Sequence, residues 1–291
     1  EAPTKTTQHK HTRPSQRRVP LHLHKKETNQ QLAYIHALCL KNVGQYHYTK
    51  FNIRRQWYDD DDDDDTSASS SWVRRPQDGR VGEDPLDSGG IALSDDGMVL
   101  AIGFTGADSY TGQVKVFTWS QENQMWAMVG QTLAGNAPDD TFGFAVSLSA
   151  QGDILAVGAP FNKSNGGFIQ VFERTNNGQW TQLGQTVEGL QVDEEAGYSL
   201  KLSEDGQTIV IGARKHNDEM NVNAGAVRVY SLTGSVWEPV GQQVVHGSIA
   251  NENFGSSVDI SNDGRTIAAG GFGSGLSNSV ARVYALSDAG P

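Results

Sequence analysis

Four glycines, Gly97, Gly152, Gly206 and Gly264, stand 55, 54 and 58 residues apart, and the same pattern recurs around each. A fixed period of this length means one supersecondary unit copied in tandem, because a single unit cannot bury its own apolar face. The unit is clearest in residues 142–172, FGFAVSLSAQGDILAVGAPFNKSNGGFIQVF. Two short apolar runs are joined by a tight glycine turn, and a polar loop leads to a third, alternating run.

Each unit predicts four strands. The first resembles AVSLS (145–149), the second ILAVG (154–158) and the third FIQVF (168–172). The fourth carries a tryptophan: Trp72, Trp126, Trp180 and Trp237 precede their turn glycines by 25 to 27 residues. A Gly-Gln pair follows three of them, at Gly130-Gln131, Gly184-Gln185 and Gly241-Gln242. Strands one and two meet at Asp96-Gly97, Gln151-Gly152, Asp205-Gly206 and Asp263-Gly264, and Asp-Gly suits a two-residue hairpin with positive φ. Alternating third strands, VKVF (114–117), IQVF (169–172), VRVY (227–230) and ARVY (281–284), imply one packed face. The Ala- and Gly-rich second strands imply close packing on both faces. Four-stranded antiparallel sheets repeated in this way are β-propeller blades. The fold class expected is therefore all-β: four repeats of about 54 residues, forming part of a propeller or a four-bladed ring. The phase permits closure, with residues 72–75 pairing beside 280–284.

The remainder of the chain is of another kind. Residues 1–58 hold 11 Lys/Arg against 2 Asp/Glu, whereas 59–291 hold 12 against 32. Residues 1–71 are expected to be a disordered basic tail ending in a linker, the seven-aspartate run Asp59–Asp65 followed by TSASSS. Within the tail, His9/His11 and His22/His24 are spaced for metal chelation, and 28–44 carries a short helical pattern. The repeat region 72–291 is strongly acidic, which argues against nucleic acid and favours cations or basic partners. Cys39 is the only cysteine, so no intrachain disulfide forms, and no apolar run reaches the ~18 residues of a membrane span. Because the chain starts with Glu1, it is read as a piece of something longer.

Phe142-Gly143 and Gly158-Ala159-Pro160, with the partial matches Phe254-Gly255 and Gly212-Ala213, resemble the FG-GAP repeats of integrin-α-type propellers. The likeness spans 72–291 and implies an adhesive or ligand-binding surface, extracellular or at the cell surface. The hairpins depart from the family's calcium-binding repeats, lacking the Asp-x-Asp-x-Asp-Gly loop that supplies calcium's oxygens.

Antiparallel order puts the loop between strands two and three on the same side as the crossing to the next repeat. Those crossings carry Asp139 and Asp140, then Asp193, Glu194 and Glu195, which should ring one acidic mouth. The third repeat's two–three loop, 214–225, is four residues longer than its counterparts and adds His216, Asp218, Glu219 and Asn221. Asp218 and Glu219 are the candidates for weak calcium binding, with no other cofactor expected. Asn162-Lys163-Ser164 is an N-glycosylation sequon. No nucleophile and base are placed together on His216 or His246, so an enzyme is not expected. The leading expectation is a non-enzymatic module binding a protein or glycan through the acidic loop face; the rival is a carbohydrate-active propeller, lectin or hydrolase.

Overall fold

The computed structural model describes residues 88–162, 166–241, 244–273 and 279–287. The tail, its histidine pairs, the pattern at 28–44, the aspartate run and the Trp72 strand, with the proposed closure at 72–75, lie outside the described residues.

The described chain is all-β, with one tight left-handed turn at Ala107–Tyr110, where Asp108, Ser109 and Tyr110 have φ of 49°, 57° and 63°. Four antiparallel sheets follow one another. The first holds β1 (Ser88–Leu93), β2 (Val99–Phe104), β3 (Gln113–Ser120), β4 (Met125–Met128) and β5 (Leu133–Ala134). The second holds β6 (Ala145–Leu148), β7 (Ile154–Ala159), β8 (Phe168–Arg174), β9 (Trp180–Gln182) and β10 (Val187–Glu188). The third holds β11 (Ala196–Leu202), β12 (Thr208–Ala213), β13 (Ala226–Thr233), β14 (Val236–Pro239) and β15 (Val245–His246). The fourth holds β16 (Ser257–Ile260), β17 (Thr266–Gly271) and β18 (Val280–Ala285). In each, the three long strands lie in chain order.

The outer strand departs from the expectation of a single fourth strand. It is broken in two, so that β9 pairs with one end of β8 and β10 with the other. The break falls at the Gly-Gln pair, where Gly130 (φ 73°) and Gly184 (φ 76°) take the left-handed conformation that interrupts a ladder. The glutamine then reaches into the next repeat. Gln131 Nε2 donates to Trp180 O (2.6 Å) and Trp180 N–H donates to Gln131 Oε1 (3.1 Å). Gln185 does the same to Trp237, at 2.7 and 2.9 Å. The indole N–H of Trp237 closes the link on Leu183 O at 2.9 Å.

Successive sheets pack face to face, as propeller blades do, through three apolar cores. The first core joins Val99, Val114 and Val116 to Phe142, Leu155, Val157 and Phe168. The second joins Ile169 and Val171 to Leu200, Leu202, Ile209 and Trp237, and the third joins Val210 and Val227 to Phe254, Ile260 and Ile267. The Phe-Gly and Gly-Ala-Pro halves of the motif meet across these interfaces. A Cβ on Gly103 would fall 1.9 Å from Gly143 O, one on Gly158 2.3 Å from Gly197 O, and one on Gly212 2.0 Å from Gly255 O. Each position admits only hydrogen. The hairpin turns are also chained from sheet to sheet: Asp95 N–H donates to Ala150 O (3.0 Å), Ala150 to Glu204 (2.9 Å) and Glu204 to Asn262 (3.1 Å).

Candidate interaction face

The crossings between sheets are irregular backbone, so their N–H groups need acceptors that no strand supplies. One acidic side chain per crossing serves. Asp140 Oδ2 accepts from the N–H groups of Asn136 (3.0 Å) and Ala137 (2.9 Å). Glu194 Oε1 accepts from Leu190 N–H (2.7 Å), and Glu252 Oε2 from Ser248 N–H (2.6 Å). These three carboxylates are buried, at 1%, 0% and 2% exposure.

Burial of a charge requires compensation, and each acid finds it in its own sheet. Asn162 Nδ2 donates to Asp140 Oδ1 at 2.6 Å. Glu194 is bound by His216 Nδ1 and by the Arg228 guanidinium, both themselves buried. Glu252 lies 2.8 Å from Arg282, whose guanidinium also covers the Phe254 ring. Burial by itself would raise the Glu194 pKa. The His216 hydrogen bond, the Arg228 charge and the Leu190 N–H outweigh it and hold the group below the ordinary glutamate range.

The expected ring of acids is therefore corrected in part. Asp140, Glu194 and His216 are internal braces of the crossings and are not open to a partner. Asp139 and Asp193 are exposed, while Glu195 is tied to Arg214, which lies 3.8 Å from the centre of the Tyr198 ring. Asn162 keeps its amide nitrogen on Asp140, the very atom a glycan would need.

The longer loop is held from both sides. Gln191 in one crossing accepts from Asn217 N–H (3.0 Å) and donates to Asn217 O (2.8 Å). Asn251 in the next crossing donates its backbone N–H to Val222 O (2.8 Å), and Asn223 Nδ2 donates to Asn251 Oδ1 (3.0 Å). Asp218 is turned inward to its own loop, accepting from Met220 N–H (2.8 Å) and from both nitrogens of Asn221. These bonds hold the Asp218 pKa below the usual carboxylate value. Glu219 is exposed. Among the described residues, no three His, Cys, Asp or Glu are grouped to hold a metal ion.

Beside the exposed Asn217 and Glu219, the loop presents apolar side chains outward. Met220 (90%), Val222 (63%), Leu190 (60%), Val192 (65%) and Ile249 (43%) are exposed on this loop and the two crossings that clamp it. Sequence reading selected the polar residues here and passed over these. The signal available was apolar residues placed in crossings otherwise rich in Asp, Asn and Gly. Beside the face, Pro160, Phe161, Asn162, Asp193 and Glu195 line a shallow cavity of about 110 Å³.

No family model matches the chain. No curated protein matches it either. Among solved structures it is similar to hydrazine synthase of Kuenenia stuttgartiensis, at 16% identity and a TM-score of 0.46, over 74% of this chain and 49% of that one. It is also similar to TolB of Acinetobacter baumannii (15%, TM-score 0.41, 69% of this chain and 41% of that one). A third is the periplasmic gluconolactonase of Pseudomonas aeruginosa (15%, TM-score 0.39, 69% and 58%). The chain matches about half the length of these proteins.

Proposed function

We propose that this chain is a non-enzymatic β-propeller interaction module of the FG-GAP-like kind, acting outside the cell or at its surface. It binds a protein partner through loop 214–225 and the crossings on either side. The observation that carries the reading is the exposed set Leu190, Val192, Met220, Val222 and Ile249, interleaved with the exposed acids Asp193 and Glu219. Apolar side chains fixed on a hydrogen-bonded frame cost little further entropy on binding, and contiguous exposed apolar surface marks interaction sites. The surrounding negative charge selects a partner whose apolar anchors are flanked by Lys or Arg.

For the sugar-binding alternative, a concave site among the described residues is the cavity at Phe161, Asp193 and Glu195. At about 110 Å³ it is well below the ~300 Å³ of ordinary small-molecule pockets, and Glu195 is already paired with Arg214.

A display library of random peptides selected on the full chain tests the proposal. Enriched peptides should combine aromatic or aliphatic anchors with basic residues. Their binding should fall at least about tenfold in Met220→Asp/Val222→Asp, and should weaken with salt in a way that Asp193→Asn/Glu219→Gln reduces. Selected binders indifferent to both variants would overturn the assignment of the face.

A further inference from the structure

Every interface between sheets joins two kinds of face, one turned toward the preceding repeat and one toward the next. The faces turned backward use the same two positions of the first strand in each repeat. In sheets two to four, Val146, Leu200 and Val258 occupy the first of these, at 9%, 7% and 3% exposure. Leu148, Leu202 and Ile260 occupy the second, at 6%, 2% and 7%. The first sheet has Ile91 and Leu93 there, at 70% and 49%. The fourth sheet shows the converse. Val283 is 69% exposed, whereas its counterparts Val116 and Val171 are 1% exposed and Val229 is half-buried. Ala268 and Ala281 are exposed where Val210 and Val227 are buried.

Among the described residues, the first and fourth sheets thus show two different open faces, each half of an interface that the described sheets build three times. Because Ile91 and Val283 are both open in one chain, its fourth sheet does not sit on its first. We infer that the occupant is a second copy of this chain, docked head to tail, with the fourth sheet of one copy on the first sheet of the other. Side-chain shape matches by repetition: the incoming Val283, Ala281 and Ala268 stand where valines and alanines meet Val146 and Leu148 in the first internal interface. Charge matches too, since Lys115 lies on the first sheet's face and Asp259 on the fourth's. Such a contact is heterologous, so it closes into a ring where the rotation permits and otherwise continues as an open series. Two copies carry eight repeats, within the usual range of propeller blades.

Light scattering on the full chain, across a dilution series, gives the test. The expected mass is twice the chain's 31.5 kDa or a higher multiple, falling to one chain on dilution. Ile91→Asp/Leu93→Asp and Val283→Asp, all at exposed positions, should each leave only monomer. An equimolar mixture of the two variants should restore a two-chain species, because one supplies an intact fourth sheet and the other an intact first sheet. A wild-type chain that is monomeric at every concentration overturns the inference. So does a dimer that is lost in Ile91→Asp/Leu93→Asp but survives Val283→Asp, since that contact would join first sheet to first sheet.

Discussion

The side-chain amide of Gln185 presents a carbonyl and an NH₂ group to the backbone of Trp237, so one residue substitutes for a rung of sheet between two repeats. Gln185→Ala leaves the Trp237 N–H and C=O without partners. We expect a loss of about 1–3 kcal/mol, measured by denaturant unfolding with tryptophan fluorescence and circular dichroism as paired probes. Glu194 is more demanding, because Arg228 and His216 are buried around it. Glu194→Gln should cost about 3–5 kcal/mol, since the guanidinium is left in the interior without its counter-charge. Among the described residues four groups are depressed: His246 acts near neutrality, and Glu194, Asp218 and Asp263 act in acid. His246 is held below its ordinary 6.5, first by desolvation and then by the neighbouring His216, whose ring centre lies 5.1 Å away. On acidification the unfolded histidine therefore takes up its proton first. Stability begins to fall near pH 6.5 and continues to fall through the folded value. Glu194, held below 4.5, adds a second decline that starts near pH 4.5 and continues as the folded carboxylate protonates. Urea melts across this range should show both stages in the wild type, the lower reduced in Glu194→Gln and the upper reduced in His246→Asn.

At the scale of elements, the contact between glycines decides how closely neighbouring sheets approach. Gly212 lies against Gly255 O with no room for a methyl group. Gly212→Ala should cost at least about 1–3 kcal/mol through forced separation of the third and fourth sheets. Gly234 has φ 64° and nothing within 4 Å of an added Cβ, so Gly234→Asn should be nearly neutral in the same melts. Strand order and hairpin positions were legible from alternation and the Asp-Gly turns. The broken outer strand was not, although the Gly-Gln pair that breaks it was in view. Its meaning depends on a hydrogen bond spanning 52 residues, from Gln185 to Trp237, and no local pattern reports such a partner.

For the whole molecule, stability accumulates over neighbouring interfaces, so the first and fourth sheets, each with one described neighbour, should open before the second and third. Phe254 is fully buried in the third core. Phe254→Ala should cost about 3–5 kcal/mol there. In native-state hydrogen exchange, the amides of β16 and β17 should lose protection while those of β7 and β8 keep theirs. Equal loss in all four sheets would show a single cooperative unit instead. The sequence alone determined the repeat, its strand order and its hairpin turns, because period, turn chemistry and side-chain alternation are local and copied four times. It also placed loop and crossing on one side, since antiparallel order leaves no other arrangement. Only the tertiary structure decided which acids are surface and which are braces. Asp139 and Asp140 are adjacent in the chain, yet one is exposed and the other buried, because only Asp140 is turned toward the orphan N–H groups of its crossing and the Asn162 amide. Burial of a charge depends on partners brought in from elsewhere in the chain, and those partners exist only once the sheets have packed.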